Sequence, residues 1–247
     1  FLLIYRTYFL LFLSFNFNLL NDFNLFFTVP PIQKCPLGDS SCQRKSAQNV
    51  IPVFAEGIPE LGTESLDPVH VELINIDLSG LKLTVKDSNV KGLGKSTVDK
   101  LKIDSAKKMM EFAFHAPLVL KGKYKAGGKL LILPISGDGD ITIKIKNLEL
   151  FMKMPFDIIK NEDGKDVIDL KSFKYTYENK ENTHFKLTNL FNGNKPLSDT
   201  MHTFMNENWQ PIVKEFSIPM LEQPMQKIFT AIKTYLRSQP LENIATV

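Results

Sequence analysis

From Val69 to Leu187 apolar and polar residues alternate with a period of two, the pattern of strands that bury one face and wet the other. Val71, Leu73, Ile74, Ile76 and Leu78 are interleaved with Glu72, Asn75 and Asp77, and the phase slip at Leu73-Ile74 predicts a bulge. Leu81, Leu83 and Val85 alternate with Lys82, Thr84 and Lys86, and Leu101 and Ile103 alternate with Lys100 and Lys102. The next strand puts Phe112, Phe114, Leu118, Leu120 and Tyr124 on one parity, with Glu111, His115, Lys121, Lys123 and Lys125 on the other. Ile141, Ile143 and Ile145 continue the pattern, Leu148, Leu150 and Met152 resume it after a slip, and Phe173, Tyr175, Tyr177, Phe185 and Leu187 end it. Gly127-Gly128, Gly137-Asp138-Gly139 and Asp163-Gly164 read as the turns between neighbours. The result is an antiparallel meander with one wet face and one apolar, aromatic face.

On either side of this region the period becomes helical. Ala47, Val50, Ile51 and Phe54 mark a short amphipathic helix, bent at Pro52 and stopped by Gly57. Toward the C-terminus, apolar residues recur at helical spacing from Met201 to Leu236, behind Ser198 as a plausible N-cap. One helix over 199–237 would be roughly 55 to 60 Å long, with bends at Pro211, Pro219 and Pro224. A helix that long needs a wrapper and the sheet needs a lid. The expected fold is therefore α+β: a strongly curved antiparallel sheet around the long C-terminal helix, with a short N-terminal helix and an elongated internal cavity.

Composition locates this domain. Of 247 residues 43% are hydrophobic, enough for a sizeable core, and a net charge of +3 without a basic block gives no reason for a nucleic-acid partner. Residues 1–27 are different: they hold eight of the nineteen phenylalanines, and only Arg6 and Asp22 are charged. An apolar run from Tyr8 to Phe15 behind Arg6 suits a secretory signal, while Asn16, Asn18 and Asn21 interrupt any membrane span. Residues 1–27 are thus expected to be a signal-like or non-native leader, and 28–247 one domain. The two cysteines, Cys35 and Cys42, read as a disulfide formed in an oxidising compartment, with two free thiols as the alternative. Closing so short a loop would stabilise by only about 2 to 3 kcal/mol.

Catalytic and metal-binding chemistry finds little support. GIPELGTESLDPVHV collects Glu60, Glu64, Asp67 and His70, yet Pro59, Gly62 and Pro68 explain the segment as a joint between helix and sheet. No Gly-x-Ser-x-Gly elbow occurs, GLGKST lacks the glycine spacing of a phosphate loop, and ISGDGDIT is too short for a calcium loop and reads as a hairpin turn.

Four stretches taken together resemble the insect juvenile hormone binding and takeout proteins, within the tubular lipid-binding superfamily. They are the pair Cys35 and Cys42 before a helix, GIPELGTESLDPVHV, APLVLKGKYKAGGKLLILPISGDGD, and NLFNGNKPLSDTMHTFMNENWQPIVKE. The resemblance covers about residues 34 to 240 and loosens after Arg237. It implies a secreted, extracellular carrier with a hydrophobic tunnel for a terpenoid or fatty ligand. Neither enzymatic activity nor a cofactor is implied.

Parity and helical register aim Phe112, Phe114, Leu118, Tyr124, Phe173 and Tyr175 from the sheet toward Phe204, Trp209, Phe216, Met220 and Phe229 on the helix. These are the candidate ligand-binding residues. The leading reading is a monomeric carrier of a small hydrophobic molecule with no stable membrane insertion. The alternative is a protein that acts on lipid surfaces or bacterial lipids, and the dispersed lysines give it little support. N-terminal sequencing of secreted material checks the leader: the mature chain is expected to start downstream of Phe15, and an upstream start contradicts it.

Overall fold

In the computed structural model, which describes residues 32–246, the chain begins with β1 (Cys35–Pro36), α1 (Ser40–Glu56) and β2 (Val69–Leu78). There follow β3 (Leu81–Lys91), β4 (Thr97–Asp104), β5 (Met109–Leu130), β6 (Leu133–Lys160), β7 (Asp166–Leu170), β8 (Lys174–Asn179) and β9 (Thr183–Leu187). The chain ends with α2 (Lys195–Glu207), α3 (Trp209–Ser238), α4 (Leu241–Ile244) and β10 (Ala245–Thr246). The expected leader lies outside the described residues.

β5 and β6, of 22 and 28 residues, pair antiparallel along their length and act as the spine of the sheet. β3 and β4 share the free edge of β5, while β9, β8 and β7 follow one another along β6. A flat strand of 22 residues would run about 70 Å, whereas α3, with 30 residues, is only about 45 Å long. The sheet therefore curls into a half-barrel around the helix. Its register shifts at Lys86/Asn89, Val98/Lys100 and Ala116/Leu118 mark bulges that strengthen twist and coiling. The slip expected at Leu73-Ile74 appears as a change of face, with Leu73 exposed and Ile74 buried. The β2–β3 register runs unbroken past it, and the bulge falls one pairing further on, between β3 and β5.

Two turn assignments need correction. Gly127-Gly128 lies inside β5 and Gly137-Asp138-Gly139 inside β6; the hairpin turns instead at Leu131, which takes φ 53°, and the exposed Ile132. Gly128, Gly137 and Gly139 serve close approach of neighbouring groups, while Gly127 faces open space. A Cβ on Gly128 would sit 2.1 Å from the carbonyl oxygen of Gly80, where Lys129 N–H donates to that same oxygen. Asp163-Gly164 does turn the chain between β6 and β7.

α1 follows an Asp39 cap, whose carboxylate accepts from Ser41 and Cys42 N–H, and it ends at Gly57 as expected. Its glutamines cover the outer edge of β4. Gln48 donates to Ser96 O and accepts from Val98 N–H, and Gln43 accepts from Ile103 N–H. Two carboxylates of the joint after α1 hold the fold: Asp67 accepts from Gly92 and Gly94 N–H at 3.0 and 2.8 Å, and Glu64 pairs with Lys227 of α3.

The C-terminal helix is two helices. The chain breaks at Asn208 (φ −106°, ψ 32°), and the N-cap is Asn194, which accepts from Leu197 N–H, rather than Ser198. Pro211 falls in the first turn of α3, where the N–H it lacks has no partner to lose; Pro219 and Pro224 lie inside the helix. The chain ends meet: β1 pairs parallel with β10, and the Cys35–Cys42 disulfide, with Cα atoms 5.7 Å apart, ties β1 to α1. Asp169 of β7 binds Lys171 and lies near Lys233 and Arg237 of α3, and the Lys171 ammonium holds its carboxyl below the usual range.

Adjacent glycines give a sharp check on the curl. Gly128→Ala (φ +96°, blocked by Gly80) is expected to lower stability by at least about 2 kcal/mol in chemical denaturation. Gly127→Ala meets nothing within 4 Å and is expected to change stability by less than about 0.5 kcal/mol.

Candidate ligand-binding site

The space between the concave face and the helices is not filled. Two cavities, of about 130 and 140 Å³, lie end to end along α3. The first is closed by α1, through Ala47, Ile51 and Phe54, and by Met110, Phe112 and Phe114 at the start of β5. The second lies under the other half of the sheet, bounded by Leu118, Leu120 and Leu130 of β5 and by Ile141, Ile145 and Leu148 of β6. Leu93 and Ile228 border both, so at these residues a single aliphatic side chain separates the cavities.

Both cavities are built on the same two rows. On α3 every fourth residue contributes: Ile212, Phe216, Met220 and Pro224 in the second cavity, Ile228 at the partition, and Ile232 and Leu236 in the first. An i, i+4 row forms a ridge slanted about 26° to the helix axis, and here it faces the even-numbered parity of β5 from Met110 to Leu130. The walls are almost wholly carbon. Alone, each cavity falls below the ~300 Å³ at which small-molecule sites begin; joined, they approach it.

The sequence-derived candidates divide between these walls and the surrounding core. Phe112 and Phe114 line the first cavity, and Leu118, Phe216 and Met220 line the second. Phe173, Tyr175 and Phe229 stack together, with Phe173 centred 4.8 Å from Phe229 and 6.1 Å from Tyr175, and border neither cavity. Phe204 and Trp209 pack partly buried beside the break at Asn208, likewise outside both. Tyr124 faces inward but donates its hydroxyl to Thr188 O at 2.7 Å, which ties β5 to the segment after β9. Sequence reading favoured aromatic residues and so passed over the aliphatic members of the ridge, Ile228 above all. The four-residue spacing from Phe216 to Ile228 was the signal that could have found it.

Among the described residues no group of three or more His, Cys, Asp or Glu side chains is placed to hold a metal ion, and no helix is long and apolar enough to cross a membrane. A curled half-barrel around a long helix with a hollow apolar interior narrows the comparison, and the sequence model of the haemolymph juvenile hormone binding protein family matches residues 10–244. The chain belongs to that family. The crystal structure of Takeout 1 from Epiphyas postvittana superposes with a TM-score of 0.85 at 42% identity, covering 87% of this chain and 100% of that one. The circadian clock-controlled protein daywake of Drosophila melanogaster is 30% identical over 214 residues, 82% of each chain. A putative beta-carotene-binding protein of Schistocerca gregaria is 26% identical over 110 residues, 43% of this chain and 44% of that one. The haemolymph juvenile hormone binding and takeout proteins are binding proteins of small hydrophobic ligands, not enzymes.

Tyr124 supplies a pH test of the packing on the inner face. Burial, with the Asp138 charge adding to it, pushes its phenol up to about 12 from 10.0. The folded state thus holds a proton that the unfolded chain releases, so this stabilisation is complete below pH 10 and is lost as pH rises toward 12. Tyr124→Phe is expected to flatten the fall in stability over that window, measured by urea denaturation at several alkaline pH values. Equal slopes in variant and parent contradict the assignment.

Proposed function

We propose that the protein is a secreted, monomeric carrier that holds one small hydrophobic molecule, a terpenoid or a fatty-acid-derived chain, in a tunnel joining the two cavities. The observation that carries this is the unbroken ridge from Ile212 to Leu236 facing one parity of β5 across both hollows. A wall of this kind recognises length and apolar surface. Removing a few hundred Å² of ligand surface from water at ~25 cal/mol per Å² yields several kcal/mol before ordering costs, which is consistent with micromolar or tighter binding.

Two features support an elongated ligand. The two residues that border both cavities, Leu93 and Ile228, are aliphatic, so an apolar chain meets no polar or charged side chain at these two positions. The locust relative is named for a long isoprenoid hydrocarbon, a shape that needs both cavities in line. The disulfide and the haemolymph family fit transport outside the cell.

Displacement of a fluorescent lipid probe tests the reading. Farnesyl derivatives and long-chain fatty acids are expected to displace the probe from purified protein. Met220→Asp, which puts a charge at a half-buried position of the ridge, is expected to weaken uptake at least about ten-fold while the far-ultraviolet dichroism stays unchanged. Failure of every apolar ligand to displace the probe from folded protein contradicts the carrier reading and favours a lipid-surface role.

A further inference from the structure

The first cavity has polar side chains on its wall, and the buried ones are already engaged, while Gln33 is exposed. Gln43 donates to Pro36 O and Leu37 O and accepts from Ile103 N–H; Ser46 donates to Gln33 O and Ser96 to Leu93 O. The Tyr235 hydroxyl accepts from Ile32 N–H. Each of these four side chains already serves a bond that holds the fold.

The second cavity differs at one point. Thr183, at the start of β9, borders it on the inward parity shared with Phe185 and Leu187, and it is 2% exposed. Its hydroxyl receives one hydrogen bond, from Asn179 Nδ2 at 2.9 Å. A hydroxyl offers one donor and two acceptor positions, so bonding capacity remains at a buried site. The backbone explains why a polar group is there. Along β6, pairing with β9 ends at Ile145–Thr183 and pairing with β8 starts at Leu148–Asn179, which leaves a seam in the sheet at Lys146 and Asn147. Asn147 Oδ1 and Asn179 Oδ1 are buried in that seam without a hydrogen-bond partner. Ser217 of α3, the other hydroxyl on this wall, is half-buried, where water competes for its bonds.

We propose that Thr183, backed by Asn179, is the polar anchor of the second cavity and selects ligands that carry an oxygen function on an apolar chain over bare hydrocarbons of the same skeleton. This rests on the carrier reading and adds a direction to it: the oxygenated end lies in the second cavity, and the hydrocarbon tail points past Leu93 and Ile228 toward the first. In an apolar wall one hydrogen bond outweighs its modest worth in water, because an oxygen placed elsewhere in the hollow would be stripped of water with nothing in return.

The test compares farnesol with farnesene, an alcohol and a hydrocarbon of one skeleton, by probe displacement on the full chain. Farnesol is expected to bind about ten-fold tighter to the parent protein. Thr183→Val is expected to reduce that preference to within about two-fold, and Thr183→Ser to keep it. In parallel, the Thr183 nuclear resonances of the parent are expected to shift with farnesol and not with farnesene, a readout that needs no variant to fold. A farnesol preference that survives Thr183→Val, or Thr183 resonances indifferent to the alcohol, overturns the anchor and leaves the carrier reading standing. Loss of binding of both ligands by the parent overturns the carrier reading itself, and the anchor with it.

Discussion

A sheet that is wet on one side must bury the other, and in this chain the burial of the β5–β6 spine against α3 governs the rest. The spine is too long to lie flat on a helix of about 45 Å, so it curls. Once it curls, its outer strands come to different parts of the helix: β2 near Gln223, through Leu73 O, and β7 near Lys233 and Arg237, through Asp169. Even the joint between α1 and the sheet is fastened to this contact by Glu64 and Lys227. α1 and the β1–β10 pair then close the end that the sheet leaves open.

The same contact makes the site. A slanted i, i+4 ridge and a coiled sheet diverge along their length, and the apolar side chains of the ridge leave the space between them unfilled. The hollow is costly. At ~24 cal/mol per Å³ an unfilled volume of about 130 Å³ destabilises by about 3 kcal/mol, a sizeable part of the ~5 to 15 kcal/mol that holds a domain together. A ligand that fills it recovers contacts the protein forgoes, so binding and stability are coupled in this fold. Family membership among hydrophobic-ligand carriers and the geometry therefore point the same way.

Much of this was legible in the sequence because it depends on periodicity. The parity of Phe112, Phe114, Leu118 and Leu120 places the inner face of β5 correctly, since a strand has only two faces. Positions set by partners distant in sequence were not legible. Gly127-Gly128 reads as a turn until Gly80 is seen to press against Gly128, and Ser198 reads as a cap until Asn194 is seen to start the helix one turn earlier. The break at Asn208 is silent in the apolar pattern, which continues across it from Met205 to Ile212. In the site, residue type and spacing select different residues: the stacked rings of Phe173 and Phe229 border neither cavity, whereas Ile228, an ordinary aliphatic residue, borders both.

The central claim is that the ridge and the sheet enclose one space, divided only by movable aliphatic side chains. A crystal structure of the protein with a long unbranched fatty acid tests it most directly. Continuous ligand density running from beside Phe216 past Leu93 and Ile228 to beside Phe112 is the predicted result. Density confined to one cavity with Leu93 and Ile228 unmoved, or found on the outer surface, would contradict it.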